Sequence, residues 1–150
     1  MRYLIIFLFI GLMWSGMTKA DETNLTCVMV GDKSNAKFNL DLKNKIYKND
    51  GITIPIAFTD QTIIFQTYLP KVIVYSVIID RKNKKGTMYS FDYIKFEKDI
   101  KTKPEVHIEK AHTIARYPEL SEDDKVLFTT HSYLRKYFTP INELKLDCSK

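Results

Sequence analysis

The sequence predicts a mainly β domain of the α+β class: an antiparallel meander or partly closed, barrel-like sheet with a C-terminal helix. Two patterns predict this fold class. Short segments in which apolar and polar residues alternate recur between turn signals, as expected for half-buried strands. A helical spacing of apolar residues with a capping signal appears after residue 120. About six strands and one covering helix are therefore expected.

The first residues, 1–20, have the pattern of a cleavable signal peptide. Arg2 gives a positive start, residues 3–14 are apolar, and Thr18 and Ala20 are the small residues expected before a cleavage site. A bilayer-spanning helix needs about 20 apolar residues, so cleavage after Ala20 is predicted rather than a transmembrane anchor.

The mature chain, residues 21–150, is predicted to be a single exported domain in the periplasm or outside the cell. Its length suffices for one hydrophobic core but not for two. Removal of Arg2 and Lys19 with the signal leaves 21 basic and 18 acidic side chains, a net charge of +3. This mild excess permits contact with an anionic surface but does not indicate nucleic-acid binding.

Cys27 and Cys148 lie near the two ends of the mature chain. An even number of cysteines in a small exported domain favours a disulfide, and these two allow only one pairing within the chain. No C-x-x-C motif is present, so a structural bond is expected rather than a redox site. Cys27 lies too far beyond the apolar run for lipidation, and the sequon at Asn24 matters only in a eukaryotic secretory pathway.

The amino-terminal half of the mature chain contains three predicted strands. Residues 24–30 form a short first strand, and the alternation in 37–43 indicates a second with one wet face. The turn signal at 49–51 precedes a third strand that begins at Ile52. Pro55 interrupts that strand, which is therefore expected at a sheet edge or with a bulge.

The central segments predict the best-defined hairpin. Residues 71–80 are apolar on both faces, so this strand should be covered on both sides, and 62–69 is similarly apolar. A polar turn at 81–86 leads into a return strand over 87–96. Its aromatic face is expected to lie in the core beneath the helix, with a ligand cavity as the alternative; this face comprises Tyr89, Phe91 and Tyr93, with Tyr75 opposite.

The alternation of apolar and polar residues becomes irregular after this hairpin. Residues 98–104 are expected to be a charged loop, and 105–116 fit either a strand or a short helix. Ser121 is a good N-cap for a helix over 121–138, which Thr139-Pro140 should end. Residues 144–148 are consistent with a closing strand.

Three features resemble small exported bacterial proteins of uncharacterised function. They are Cys27 near the mature start, the segment FNLDL at 38–42 and the segment YSVIIDRKNKKG at 75–86. The resemblance implies an exported β-meander in which a late cysteine closes the chain, and it implies no activity and no catalytic residues. The ending at 146–148 departs from the Gly-Thr-Cys-like ending of those proteins.

Four side chains are the candidates for a metal-dependent hydrolase: His107, Glu109, His112 and His131. Neither a strand nor a helix brings the first three to one face, and the histidine spacing of known zinc motifs is missing. The three histidines are therefore interpreted as ordinary, partly exposed residues, and no metal site and no cofactor are predicted.

Nucleophilic and carboxylate catalysis have no better support. No G-x-S-x-G motif is present, and a Cys–His site would need a thiol that the disulfide consumes. The acids at the predicted helix start are expected to satisfy its amides rather than to form a catalytic pair; they are Glu119, Glu122, Asp123 and Asp124.

Two groups of basic residues form a candidate interaction surface. In a meander, the turns that carry them can end on the same side of the sheet. The plainer interpretation is that they keep turns and edges soluble. The residues are Lys43, Lys45, Lys48, Arg81, Lys82, Lys84 and Lys85.

These observations favour an exported, non-enzymatic binding protein of the inhibitor, immunity or envelope-interaction type. Its partner is expected to be another protein or an anionic envelope surface. Two alternatives stay open: a carrier that holds a small apolar ligand in a barrel-like cavity, and the metal-dependent hydrolase.

Overall fold

The computed structural model describes residues 24–31, 37–49 and 51–149, so the predicted signal peptide, residues 1–20, lies outside the described part. Strands and helices follow one another along the chain in two blocks, with the helices inserted before the last strand. The strands are β1 (Asn24–Met29), β2 (Lys37–Asp41), β3 (Ile46–Asn49), β4 (Ile52–Pro55), β5 (Ala57–Phe58), β6 (Thr62–Leu69), β7 (Ile73–Asp80), β8 (Lys85–Asp92) and β9 (Asn142–Asp147). The helices are α1 (Tyr93–Thr102), α2 (Pro104–Arg116) and α3 (Glu122–Tyr137).

All nine described strands belong to one antiparallel sheet in the order β4-β3-β2-β1-β9-β8-β7-β6-β5. The two outermost strands, β4 and β5, are consecutive in the chain and are joined through Ile56, whose amide donates to the carbonyl of Lys45 at 3.0 Å. The sheet therefore curls back on itself and is nearly closed, which confirms the predicted barrel-like meander. The expected number of strands was too low, because β3 was not predicted and because Pro55 and the bend at Ile56 divide one predicted strand into two.

Side chains on the inner side of the curled sheet form one apolar core. Large residues from across the sheet are almost completely buried there, including Leu40 of β2, Phe65 of β6 and Leu146 of β9. Val77 and Ile79 of β7 belong to this cluster. The interior is therefore filled by side chains of the strands themselves.

The outer side of β6–β8 packs against the helices. Val74 of β7 and Phe91 of β8 lie in a second apolar cluster with Tyr133 and Leu134 of α3. The prediction that residues 71–80 are covered on both sides is confirmed, and so is the placement of Tyr89 and Phe91 in core beneath a helix. Tyr75 packs on the inner cluster, on the other side of the sheet from these aromatics.

The described residues form three helices where one helix was expected. The strand predicted over 87–96 ends at Asp92, because the Asp92 carboxylate accepts a hydrogen bond from the Lys95 amide at 2.8 Å and caps α1. The charged loop predicted over 98–104 is wrong, since α1 continues to Thr102 and α2 begins at Pro104, a residue suited to the first helical turn.

The remaining carboxyl-terminal predictions have clear outcomes. Residues 105–116, which fitted a strand or a helix, belong to α2. The predicted helix over 121–138 is confirmed as α3, with the Ser121 hydroxyl accepting from the Asp124 amide at 3.1 Å. None of the described helices is both long enough and apolar enough to cross a bilayer.

Cys27 and Cys148 meet at the seam where the last strand joins the first. Val28 of β1 is paired with Asp147 of β9, so the next pair in this antiparallel register is Cys27 and Cys148. Their sulfur atoms lie at disulfide-bonding distance, and both residues are buried in the inner core. The predicted pairing therefore joins β1 to β9.

Candidate functional surfaces and cleft

Antiparallel strands place alternate turns at opposite ends of the sheet. The turns that follow β2, β5 and β7 lie at one end, which we call the charged end; they span 42–45, 59–61 and 81–84. Six of the seven basic residues predicted as an interaction surface lie in or beside these turns. Lys48, on β3, lies toward the opposite end.

Two of these basic residues have acidic partners. Lys45 donates to the Asp124 carboxylate at 2.8 Å, and Lys85 contacts Asp147 at the same distance. The Lys85 ammonium, followed by bonds from Ser149, holds the pKa of Asp147 well below its ordinary value.

The remaining contacts at the charged end are also local. The Arg81 guanidinium donates to the Thr59 carbonyl at 2.8 Å and lies over the Phe58 ring. Asp80 caps the turn after β7 by accepting from the amides of Lys82 and Asn83. The charged end is therefore a mixed-charge surface stabilised from within, rather than a field of one sign.

The other end of the sheet, which we call the apolar end, has a different surface. Of the eleven large hydrophobic side chains exposed among the described residues, seven lie here and four lie on α2 and α3. The seven are between 46% and 68% exposed, and none of the eleven lies at the charged end. They are Val30, Ile52, Tyr68, Leu69, Val72, Ile94 and Ile141.

Backbone hydrogen bonds connect much of this apolar end. The Val72 amide donates to the Leu69 carbonyl at 3.0 Å, and the Tyr93 amide, next to Ile94, donates to the Val72 carbonyl at 3.3 Å. Lys71 lies between Leu69 and Val72 with a positive φ of 61°, and it is exposed. Apolar side chains and a lysine thus alternate on the same turn.

A cleft of about 350 Å³ opens between α2, α3 and the outer side of β6 and β7. Its walls combine apolar and polar side chains. The apolar part consists of Ile64, Ile78, Tyr117 and Phe128, and the polar part of Thr62, Glu109, His112, Thr113, Arg116, His131 and Ser132.

His131 borders the cleft and is held by polar groups buried behind it. Its Nδ1 lies 2.9 Å from the Ser76 hydroxyl, which also accepts a hydrogen bond from the Gln66 amide at 3.3 Å. The Gln66 amide donates to the Leu127 carbonyl as well. Burial, assisted by the positive charge of Arg135, lowers the pKa of His131 to about 4, so the imidazole is neutral near pH 7.

Glu109 forms the opposite wall of the cleft. Its buried carboxylate accepts a hydrogen bond from the Lys136 ammonium at 2.7 Å, and His112 Nδ1 lies 3.9 Å away. The bond to Glu109 raises the pKa of Lys136. A cation from α3 thus neutralises the carboxylate of α2 and joins the two helices.

The structure brings together three of the four residues considered for a metal site. Glu109, His112 and His131 border the cleft, whereas His107 is exposed on α2 and is not part of its lining. No group of three metal-ligating side chains occurs among the described residues. The interpretation of His131 as a partly exposed histidine is wrong, since only 8% of it is exposed.

Sequence reasoning also missed the contact between Ser76 and His131. The two residues are 55 positions apart, and no local motif surrounds either of them. Their distance fits a serine–histidine dyad, but Ser76 has no exposed surface and a substrate cannot reach its hydroxyl. The pair therefore orients the imidazole instead of forming a nucleophile.

Asp124 differs from its prediction as well. Its backbone amide is capped by Ser121, as expected at a helix start, but its carboxylate bonds Lys45 across the molecule.

In comparisons with protein families, with curated proteins and with solved structures, no match to this chain was found. The resemblance to small exported bacterial proteins therefore stays a prediction.

Proposed function

We propose that this chain is an exported binding protein of the envelope-interaction type, which rests its apolar end on an anionic lipid surface. The observation that carries the proposal is the segregation of exposed apolar side chains to one end of the sheet. Exposed hydrophobic patches on a small domain mark interaction sites. The sequence-predicted export would bring this end to the surface of the envelope.

The shape of the apolar end favours a flat partner. Its hydrophobic residues come from turns and strand ends around the rim of the sheet rather than from the walls of a groove. Side chains at turn tips and strand ends can insert shallowly into a bilayer surface. Leu69 and Val72 flank Lys71, an arrangement that pairs shallow insertion with attraction to anionic headgroups.

The two alternative functions have less support. A carrier of an apolar ligand needs space inside the sheet, but large side chains such as Phe65 and Leu40 fill the interior. A metal-dependent hydrolase needs converging ligands, and the described residues offer none.

Vesicle binding tests the proposal. The exported, oxidised protein is mixed with sedimenting vesicles of phosphatidylcholine alone or with phosphatidylglycerol added, and the bound fraction is measured. Its intact mass also shows whether residues 1–20 have been removed. We expect binding to the anionic vesicles, at least tenfold weaker for Leu69→Ser/Val72→Ser/Ile94→Ser because burial of three apolar side chains is lost. Lys71→Glu should weaken binding about fivefold or more.

The matched control removes three other exposed apolar residues, which lie on α2 and α3. Ile108→Ser/Ile114→Ser/Val126→Ser should bind the vesicles as the unaltered protein does, because these positions lie away from the apolar end. Absence of binding to anionic vesicles would overturn the proposal, as would equal losses in the two triple variants. If the protein binds no lipid but captures another protein through its apolar end, its partner is a protein rather than a lipid surface.

A further inference from the structure

We propose that the cleft between α2, α3 and the sheet binds a small carboxylate that has an apolar body. This inference does not depend on the apolar end, which lies elsewhere on the molecule. The volume of about 350 Å³ is near the lower end of the ~300–1,000 Å³ typical of small-molecule sites. One part of the lining is apolar and another is rich in hydrogen-bond donors.

Arg116 supplies the charge that selects an anion. It lies at the end of α2, borders the cleft and forms no ion pair with a described residue; its guanidinium lies over the Tyr117 ring, 5.3 Å from the centroid. The acid of the cleft, Glu109, is already neutralised by Lys136. A carboxylate in the cleft would therefore meet an uncompensated guanidinium, which binds carboxylates with two parallel hydrogen bonds.

His131 supplies a fixed polar group beside this charge. Because the Ser76 hydroxyl lies against Nδ1, Nε2 is the ring nitrogen left for the cleft. When Ser76 donates to Nδ1, the neutral ring carries its proton on Nε2 and is a hydrogen-bond donor. The buried bond from Gln66 favours this arrangement, because it occupies an acceptor position of the hydroxyl.

The apolar lining explains why a bare inorganic anion is not the ligand. Ile64 and Ile78 come from neighbouring strands, and the rings of Tyr117 and Phe128 contact each other with centroids 4.8 Å apart. These groups gain nothing from a fully hydrated ion, but they bury the body of an aromatic or branched ligand. The pairing of the two linings therefore selects an amphiphilic carboxylate.

Three probes separate the contribution of the carboxylate from that of the apolar body. Benzoate has both a carboxylate and an apolar body, benzamide lacks the charge, and acetate lacks the body. Binding is followed by nuclear magnetic resonance of the His112 and His131 imidazoles in the exported, oxidised protein. We expect saturable shifts with benzoate at millimolar concentration, and at least tenfold weaker binding of benzamide and of acetate.

The variant Arg116→Gln removes the guanidinium from an exposed position of α2, so the fold should be preserved. It should weaken benzoate binding about tenfold. The control Lys98→Gln removes an exposed cation from α1, away from the cleft, and should leave the affinity unchanged. Lack of saturable benzoate shifts, or equal affinity of Arg116→Gln and the unaltered protein, would overturn the inference; neither result bears on vesicle binding.

Discussion

The two sides of the central strands β6 and β7 differ in the kind of side chain that they bury. The inner side presents Ile63, Phe65, Val77 and Ile79 to an apolar core. The outer side of the same strands buries Gln66 and Ser76 under the helices. Outside the sheet, helix backbone and a histidine satisfy these buried polar groups: the Gln66 amide donates to the Leu127 carbonyl, and the Ser76 hydroxyl lies 2.9 Å from His131 Nδ1. We therefore expect the inner side to contribute most to the free energy of unfolding, whereas the outer side holds the candidate ligand site.

The largest expected effect on the inner side comes from the cysteine pair. Cys27→Ala/Cys148→Ala should lower the free energy of unfolding by about 4–5 kcal/mol, because the bond closes a loop with a sequence separation of 121. Urea unfolding with and without a reducing agent measures this. The reducing agent should destabilise the unaltered protein and leave the double variant unchanged. A loss below about 1 kcal/mol would show that the seam is stable without the bond.

Matched phenylalanine substitutions compare the two sides directly. Phe65→Ala on the inner side should cost about 4 kcal/mol, because the closed interior cannot collapse around the cavity. Phe128→Ala on α3 should cost about 1–2 kcal/mol less, since its ring borders the open cleft. Urea unfolding of both variants tests the difference. Equal costs would contradict the distinction between the two sides.

The outer side should depend on pH through His131. The pKa of this residue is about 4 in the folded protein and near 6.5 in the unfolded chain, so the unfolded chain binds the extra proton between these values. Stability should fall as the pH drops from about 6.5 to 4, by at most roughly 3 kcal/mol, and this contribution is fully present above pH 6.5.

The variant His131→Asn isolates this effect from the carboxylates. Its side-chain oxygen can accept from Ser76, but it does not titrate. Urea unfolding at several pH values should show a flatter profile for the variant between pH 4 and 6.5. Parallel profiles for the two proteins would contradict a neutral, buried His131.

Much of the inner side could be predicted from the sequence, because alternation in residues such as Phe38, Leu40 and Leu42 reports a buried strand face directly. The helices were harder to predict. Asp92 ends a strand within a run of alternating aromatics, and its capping role becomes evident only when the Lys95 amide is seen to bond it. The alternating pattern therefore predicted a strand where α1 begins.

The candidate site was largely beyond sequence reasoning. The cleft combines residues of β6, β7, α2 and α3, and the contact with Ser76 orients the His131 ring at its border. Packing of helices on a sheet decides which distant residues meet. The residue spacing within any one of these elements does not predict those contacts. Glu109, His112, Thr113 and Arg116 share one face of α2 by their helical spacing, but the sequence left open whether residues 105–116 form a helix or a strand.

The insertion of β9 between β1 and β8 constrains when the protein can fold. The first strand lacks a neighbour on one side until a strand more than a hundred positions later has emerged, as the separation of 121 between the cysteines shows. A nascent chain therefore cannot complete this sheet during most of its synthesis, and contacts of such long range form slowly. Closure of the seam between β1 and β9 is therefore a late step of folding, and formation of the bond between Cys27 and Cys148 reports that this step has taken place.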